Sequence, residues 1–211
     1  MFTDRADAGR KMSEKMLEHE WHNPLILALP RGGVVVARYI WESLGGELDL
    51  YITRKIGAPG QPELAVGAVS ADGNMVLDHR LVDRLNIPSD YIDKEAEKER
   101  AEIDRRMEVY RGNRPLPAYE GRQIVLVDDG VATGSTMIAA IQGLWENNPE
   151  TLLAAVPVGP PDTIQRLSEE VDEVFCLEAP SNFGAVGQFY QFFGQVGDEE
   201  VIDILKEAWG S

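Results

Sequence analysis

The sequence has one cysteine, Cys176, among its 211 residues, so no intrachain disulfide can form. The cysteine sits in the apolar stretch VDEVFCLEA and reads as a small buried hydrophobe rather than a reactive thiol. There is no CxxC pair. His19 and His22 lie near Glu18 at a helix end without a third ligand group, which a metal site would need. No apolar run approaches the roughly 18–20 residues of a membrane span, and MFTDRADAGRKM lacks the apolar core of a signal peptide. A cytoplasmic address is therefore expected. Positive charge is also scarce, with 20 Lys and Arg against 36 Asp and Glu, for a net charge of −16. Such a surface repels nucleic-acid phosphates and argues against DNA or RNA as a partner. An anionic ligand must be captured by local cations and amides acting against that field.

Against these absences stands a composition that is 44% hydrophobic and 27% charged, ordinary for a globular chain. Thr3–Trp21 has the spacing of a helix, capped by Thr3 or Asp4. Leu25–Leu29 reads as a strand that ends in Pro30-Arg31-Gly32-Gly33. Val34–Leu44 reads as a helix and Glu47–Thr53 as the next strand, a βαβ rhythm that predicts a parallel sheet. Arg54–Glu63 is rich in Gly and Pro and is expected to be a mobile loop. Leu64–Val69 and Asn74–Leu77 form a hairpin around Ala71-Asp72-Gly73. Tyr91–Tyr110 is a long charged helix with Ile92, Ala96, Ile103, Met107 and Tyr110 on one face. Strands at 124–127, 152–158 and 173–177 alternate with helices at 135–145 and 161–169, and Asp198–Ala208 is a closing helix. Pro180–Val196 is aromatic and Gly-rich without a period. The expectation is one α/β domain over 1–211: an open, mainly parallel twisted sheet with helices on both faces, a small irregular lobe at 179–197 and a flexible loop at 54–64.

The segment IVLVDDGVATGST carries the chemistry. Ile124–Val127 delivers Asp128 and Asp129 to the carboxyl end of a strand, where ligands bind in open α/β sheets. Ala132, Thr133, Gly134, Ser135 and Thr136 then lead into a helix. Small residues let backbone N–H groups converge on one point, and the helix start adds its positive dipole end. The two carboxylates cannot hold phosphate but can accept hydrogen bonds from vicinal hydroxyls. Diol acceptors beside an anion cradle describe a ribose 5-phosphate site. A Walker loop is excluded by the lack of GKS or GKT, and a dinucleotide fingerprint by the lack of GxGxxG.

This segment resembles the ribose-phosphate loop of type I phosphoribosyltransferases. The order LPRGG, TRKIGAPGQPELAVGAV, VDDGVATGST and FGAVGQFYQFF is similar to a bacterial and archaeal branch of that family, from about residue 24 onward. The resemblance implies transfer of the phosphoribosyl group of phosphoribosyl pyrophosphate to a nitrogenous acceptor, with pyrophosphate released. Asp128 and Asp129 would bind the ribose hydroxyls and Ala132–Thr136 the 5-phosphate. Pro30, Arg31, Gly32 and Gly33 would bind pyrophosphate, with a cis bond between Pro30 and Arg31. The basic pair Arg54-Lys55 would act in catalysis, and the loop after it would close over the substrate. Glu63 is its candidate acid or base, weighed against a solvated loop carboxylate. Phe183, in the lobe that matches the family's hood, is the candidate for acceptor contact. Mg²⁺ would enter with the diphosphate, with Asp128 and Asp129 as water-mediated contacts at most. Ala132 stands where hypoxanthine–guanine members carry an aspartate, which counts against a 6-oxopurine acceptor. The resemblance leaves room for a homodimer. A regulator that senses the same ligand without turnover is the alternative.

Overall fold

The computed structural model describes residues 1–210, and the side chain of Glu63 lies outside the described residues. Five strands form one parallel sheet in the order β2-β1-β6-β7-β8. They are β1 (Leu25–Ala28), β2 (Glu47–Leu50), β6 (Gln123–Val127), β7 (Thr151–Val158) and β8 (Glu173–Glu178). A parallel strand buried on both faces needs apolar residues at every position. LILA and IVLV supply them, and both runs are fully buried.

Side-chain alternation divides the core in two. Ile26, Ala28, Val125, Val127, Leu153 and Ala155 point to one face. There they meet α1 (Arg5–Met16), α2 (Gly32–Leu44) and α7 (Asp198–Trp209). Leu25, Leu27, Ile124, Leu126, Leu152 and Ala154 point to the other. That face is covered by α5 (Ser135–Trp145) and α6 (Pro161–Ser168). The expected α/β layering is present, with helices on both sides of a wholly parallel sheet. Asp4 caps α1, accepting from Asp7 N at 2.8 Å.

A second sheet departs from expectation. Arg54–Glu63 is not an irregular loop. β3 (Thr53–Ala58) and β4 (Gln61–Ser70) pair antiparallel around a tight turn at Pro59-Gly60, and β5 (Met75–Leu77) completes a three-stranded sheet. Proline cannot donate to a ladder, but register shifts on either side of Gly57 make Pro62 tolerable. Asp72 anchors the hairpin's base. It accepts from Tyr51 Oη at 2.8 Å, from Ser70 Oγ at 2.5 Å and from Asn147 Nδ2 at 2.6 Å. The long helix α4 (Ser89–Arg111) runs beside this sheet, with Tyr91 Oη donating to Gly57 O at 3.0 Å. The short α3 (His79–Arg84) precedes it. At its far end Arg111 donates to both carboxylate oxygens of Asp49, at 2.8 and 2.6 Å, in a buried pair.

The aromatic segment after β8 contains one short 3₁₀ turn, Val186–Phe189, and is held by the start of the chain. Phe2 N donates to Phe189 O at 2.7 Å, Gln191 N to Phe2 O at 2.8 Å and Phe192 N to Thr3 O at 2.9 Å. Phe2, Ala8, Val158 and Tyr190 form a third apolar cluster, with Phe183, Val186 and Phe189 packed on it.

Candidate functional site at the carboxyl edge of the sheet

β1 and β6 are neighbours in register, Ala28 opposite Val127, so the loops that follow them emerge side by side. Their helices leave on opposite faces of the sheet, which opens a crevice between the loops. Pro30–Arg31 is a cis peptide, as the family resemblance implied.

Gly32 and Gly33 lie directly against the acidic pair. A Cβ on Gly32 would fall 1.9 Å from Asp129 Oδ2 and 2.9 Å from Arg5 Nε. A Cβ on Gly33 would fall 2.7 Å from Val127 O and 3.0 Å from Asp128 Cα. No other residue type fits at either position without displacement. The backbone of the first loop and the carboxylates of the second therefore share one site.

Asp128 Oδ1 accepts from Asp129 N at 2.8 Å. Burial, and then the charge of Asp129, push the Asp128 carboxyl well above its ordinary range. Asp129 is held from two sides. Arg5 Nε donates to its Oδ2 at 2.6 Å, and Tyr190 Oη donates to its main-chain oxygen at 2.5 Å. Arg5 is itself fixed by Gly194 O at 2.7 Å and by the ring of Phe193, whose centroid lies 3.9 Å from the guanidinium carbon. Sequence reasoning missed Arg5 because 124 residues separate it from its partner.

The second loop continues into α5. Gly134 adopts φ +71°, a left-handed conformation that favours glycine, just before the helix. No side chain caps α5 beyond a long 3.4 Å approach of Thr133 Oγ1 to Ser135 N. The first N–H groups of the helix therefore face outward as an anion cradle. Thr133 and Ser135 hydroxyls lie 2.9 Å apart, and Ala132, Thr133 and Thr136 are exposed. The loop is braced from α6, where Thr163 Oγ1 donates to Ala132 O at 2.7 Å and Arg166 to Thr133 O at 3.4 Å.

Strand alternation splits the basic pair. Lys55 lines a cavity of about 270 Å³ together with Ser135 and Arg166. Arg54 faces the other way and pairs with Glu99 of α4 at 2.5 Å. Lys55 is thus placed beside the anion cradle and Arg54 is not. Arg166 is a further cation at this cavity that its place on an amphipathic helix gave no reason to select. Arg31 sends its side chain away from the acidic pair, toward Asp198 at 3.6 Å, so only the backbone of its loop faces Asp129. Phe183 stacks on Phe189 with centroids 5.2 Å apart and is half-buried. Glu63 lies in β4, and its side chain is outside the described residues.

Among the described residues, no cluster of three or more His, Cys, Asp or Glu side chains could hold a metal. The acidic pair offers two carboxylates, one of them already engaged by Arg5. That donor set suits an ion that arrives with most of its ligands supplied by substrate oxygens and water. No helix among these residues is long and apolar enough to cross a membrane.

Fold and edge together define an α/β domain in which two loops and an acidic pair converge at the carboxyl ends of parallel strands, the edge where such sheets bind ligands. A family model described as "Phosphoribosyl transferase domain" matches residues 2–192. The chain is 40% identical over 208 residues to the Mycobacterium tuberculosis protein named "Putative phosphoribosyl transferase Rv0571c". That match covers 99% of this chain, which spans about half, 47%, of the relative's length. The crystal structure of TT1426 from Thermus thermophilus is 44% identical, with 98% of each chain covered and a TM-score of 0.90. The chain belongs to the phosphoribosyl transferase domain family.

Proposed function

We propose that this chain transfers the 5-phosphoribosyl group of phosphoribosyl pyrophosphate to a nitrogenous acceptor, such as a nucleobase, and releases pyrophosphate. The observation that carries the reading is the direct apposition of Gly32 and Gly33 on Asp128 and Asp129, beside the uncapped start of α5. Ribose hydroxyls donate to the acidic pair, the 5-phosphate sits on residues 132–136, and the diphosphate lies along the backbone of residues 30–33. The bond from ribose C1 to diphosphate oxygen breaks as the bond to acceptor nitrogen forms, and the acceptor's proton leaves. The transition state has oxocarbenium character, as in other glycosyl transfers. It is favoured by fixed geometry and exclusion of water rather than by a covalent intermediate.

Asp128 and Asp129 would hold a diphosphate-bound Mg²⁺ through water, and the ion would supply charge neutralisation for the leaving group. Lys55 adds a point charge at the cradle side. Arg54 acts through Glu99, fixing the β3–β4 hairpin to α4. The base of the hairpin is anchored by Asp72, and its tip, residues 56–63, closes over the ribose. Glu63 in that hairpin is the acid or base for the acceptor. Its test is a lower single-turnover rate with near-intact affinity in Glu63→Gln. The aromatic segment 179–197 is the hood over the acceptor, with Phe183 a contact. The reading carries with it a cytoplasmic address and a homodimer in solution, the latter checked by light scattering.

The experiment is pyrophosphate release from phosphoribosyl pyrophosphate and Mg²⁺ across a library of nucleobases and other nitrogen heterocycles. Acceptor-dependent release is expected. Tight binding of phosphoribosyl pyrophosphate with no release for any acceptor would replace the enzyme by a sensor. Absence of binding would reject both.

A further inference from the structure

Pro30-Arg31-Gly32-Gly33 has two faces. Its glycines abut the acidic pair, while Arg31 turns to the outer side. There a cavity of about 270 Å³ opens between this loop, α4 and the start of α7, lined by Pro30, Arg31, Arg105, Arg106, Tyr110 and Asp198. Three guanidinium groups thus meet at one cavity of a protein whose net charge is −16.

Their carboxylate partners do not use them up. Arg105 gives Nε and a terminal nitrogen to Glu102, at 2.8 and 3.0 Å, and Arg106 gives its Nε to the same carboxylate at 2.7 Å. Hydrogen bonds from these two arginines hold the Glu102 carboxyl down at about 2. One carboxylate therefore serves two arginines, and among the described residues the terminal nitrogens of Arg106 meet no acceptor. Arg31 has only a loose contact with Asp198, whose Oδ1 already accepts from Tyr110 Oη at 2.7 Å. A solvated helix face with Glu–Arg pairs explains Arg105 and Arg106. It does not explain why the loop arginine turns to join them.

We propose that this cavity is a second anion site, distinct from the crevice at the acidic pair, that binds a diphosphate group. Planar guanidinium forks match phosphoryl oxygens two at a time, and the space admits two phosphates. Free pyrophosphate and the tail of a nucleoside diphosphate share this chemistry. Occupation draws Arg31 from Asp198 and so bears on the loop whose glycines touch Asp128 and Asp129. The site is a route by which an anion outside the crevice alters affinity within it.

The test uses calorimetry on the full chain carrying Asp128→Asn and Asp129→Asn, which removes the ribose ligands. The outcome is then independent of whether the chain transfers phosphoribosyl groups. Pyrophosphate is expected to bind this variant at the outer cavity besides the backbone of residues 30–33, and adding Arg105→Gln with Arg106→Gln should weaken the outer-cavity component at least tenfold. Arg105→Lys with Arg106→Lys, which keeps the charge, should recover part of the loss. ADP in place of pyrophosphate separates the sources. ADP tighter by tenfold or more assigns a nucleotide, and equal affinity assigns the free diphosphate. Absence of binding at millimolar pyrophosphate, or binding indifferent to the Arg105 and Arg106 changes, overturns the proposal.

Discussion

Replacing Gly32 by alanine tests the site at its tightest point. The new methyl would stand 1.9 Å from Asp129 Oδ2 and 2.5 Å from its Cγ. To regain an ordinary contact of 3.4 Å, the carboxylate must retreat by about 1.5 Å. Gly32 opens α2, and alanine is the better helix former by up to about 1 kcal/mol. Against this stands the Arg5–Asp129 pair, whose side chains are only 12% and 14% exposed. Losing a charge-assisted hydrogen bond in such a place costs about 1.5–3 kcal/mol. The loss outweighs the gain, so a net destabilisation of about 1–2 kcal/mol is expected, or roughly 2–8 °C in Tm for a chain of this size. Function should suffer more than stability. A displacement of about 1 Å in a positioning group costs on the order of 100-fold in rate, and the Asp129 carboxylate would move further than that. Calorimetry with phosphoribosyl pyrophosphate and thermal melting measure the two effects. Gly197→Ala, whose Cβ would meet nothing within 4 Å, is the control and should bind normally. Wild-type affinity in a folded Gly32→Ala variant would refute the claim that the two loops share one ligand.

Asp128→Asn should raise stability at neutral pH while weakening ligand binding at the acidic pair. Asparagine keeps the acceptor for Asp129 N and removes a buried charge. The sign follows from the raised carboxyl. Protonated Asp128 favours the fold at low pH, and that contribution is lost as pH rises through the folded-state value. The stabilisation should fade on acidification in urea titrations, and lower stability of the variant at pH 7 would contradict it. Arg111→Met should cost about 3–5 kcal/mol, because it strands Asp49 in the core. Arg111→Met with Asp49→Leu should recover most of this, and equal destabilisation of single and double variants would show the pair to be unimportant. Lys55→Ala should lower transfer at least tenfold. Arg54→Ala should mainly lose about 1 kcal/mol of hairpin stability, and the reverse ranking in steady-state kinetics would return Arg54 to the site.

The parallel sheet was readable because a strand covered on both faces must be apolar throughout, and LILA and IVLV have few other uses. Asp128, Asp129 and the loop to Thr136 were readable because their chemistry is local: strand end, turn and helix start follow within about a dozen residues. The 54–63 segment misled because Gly57, Pro59, Gly60 and Pro62 are loop residues by composition. In the structure only Pro59 and Gly60 make the turn, and a register shift accommodates the other two. Arg54 and Lys55 looked like a pair in sequence, but adjacent residues on a strand face opposite ways. Arg5, Arg166 and the outward turn of Arg31 could not be read at all, since each depends on which distant elements the fold brings together.

The clasp between the start of the chain and the aromatic segment has a consequence for the order in which the protein is made. Arg5 leaves the ribosome 189 residues ahead of its contact Gly194. At about 5–20 residues per second, that is an interval of roughly 10–40 s. Asp129, 124 residues after Arg5, appears about two thirds of the way through that interval, and β1, β6 and β7 can pair before it ends. Tyr190 and Phe193 come later, and Phe2 lacks its ring contact with Tyr190 until then. A nascent chain halted after β8 would hold the uncapped start of α5 but lack the contacts of Gly194 to Arg5 and of Tyr190 to Asp129, so the edge of the sheet is completed only once residues 190–194 have been made.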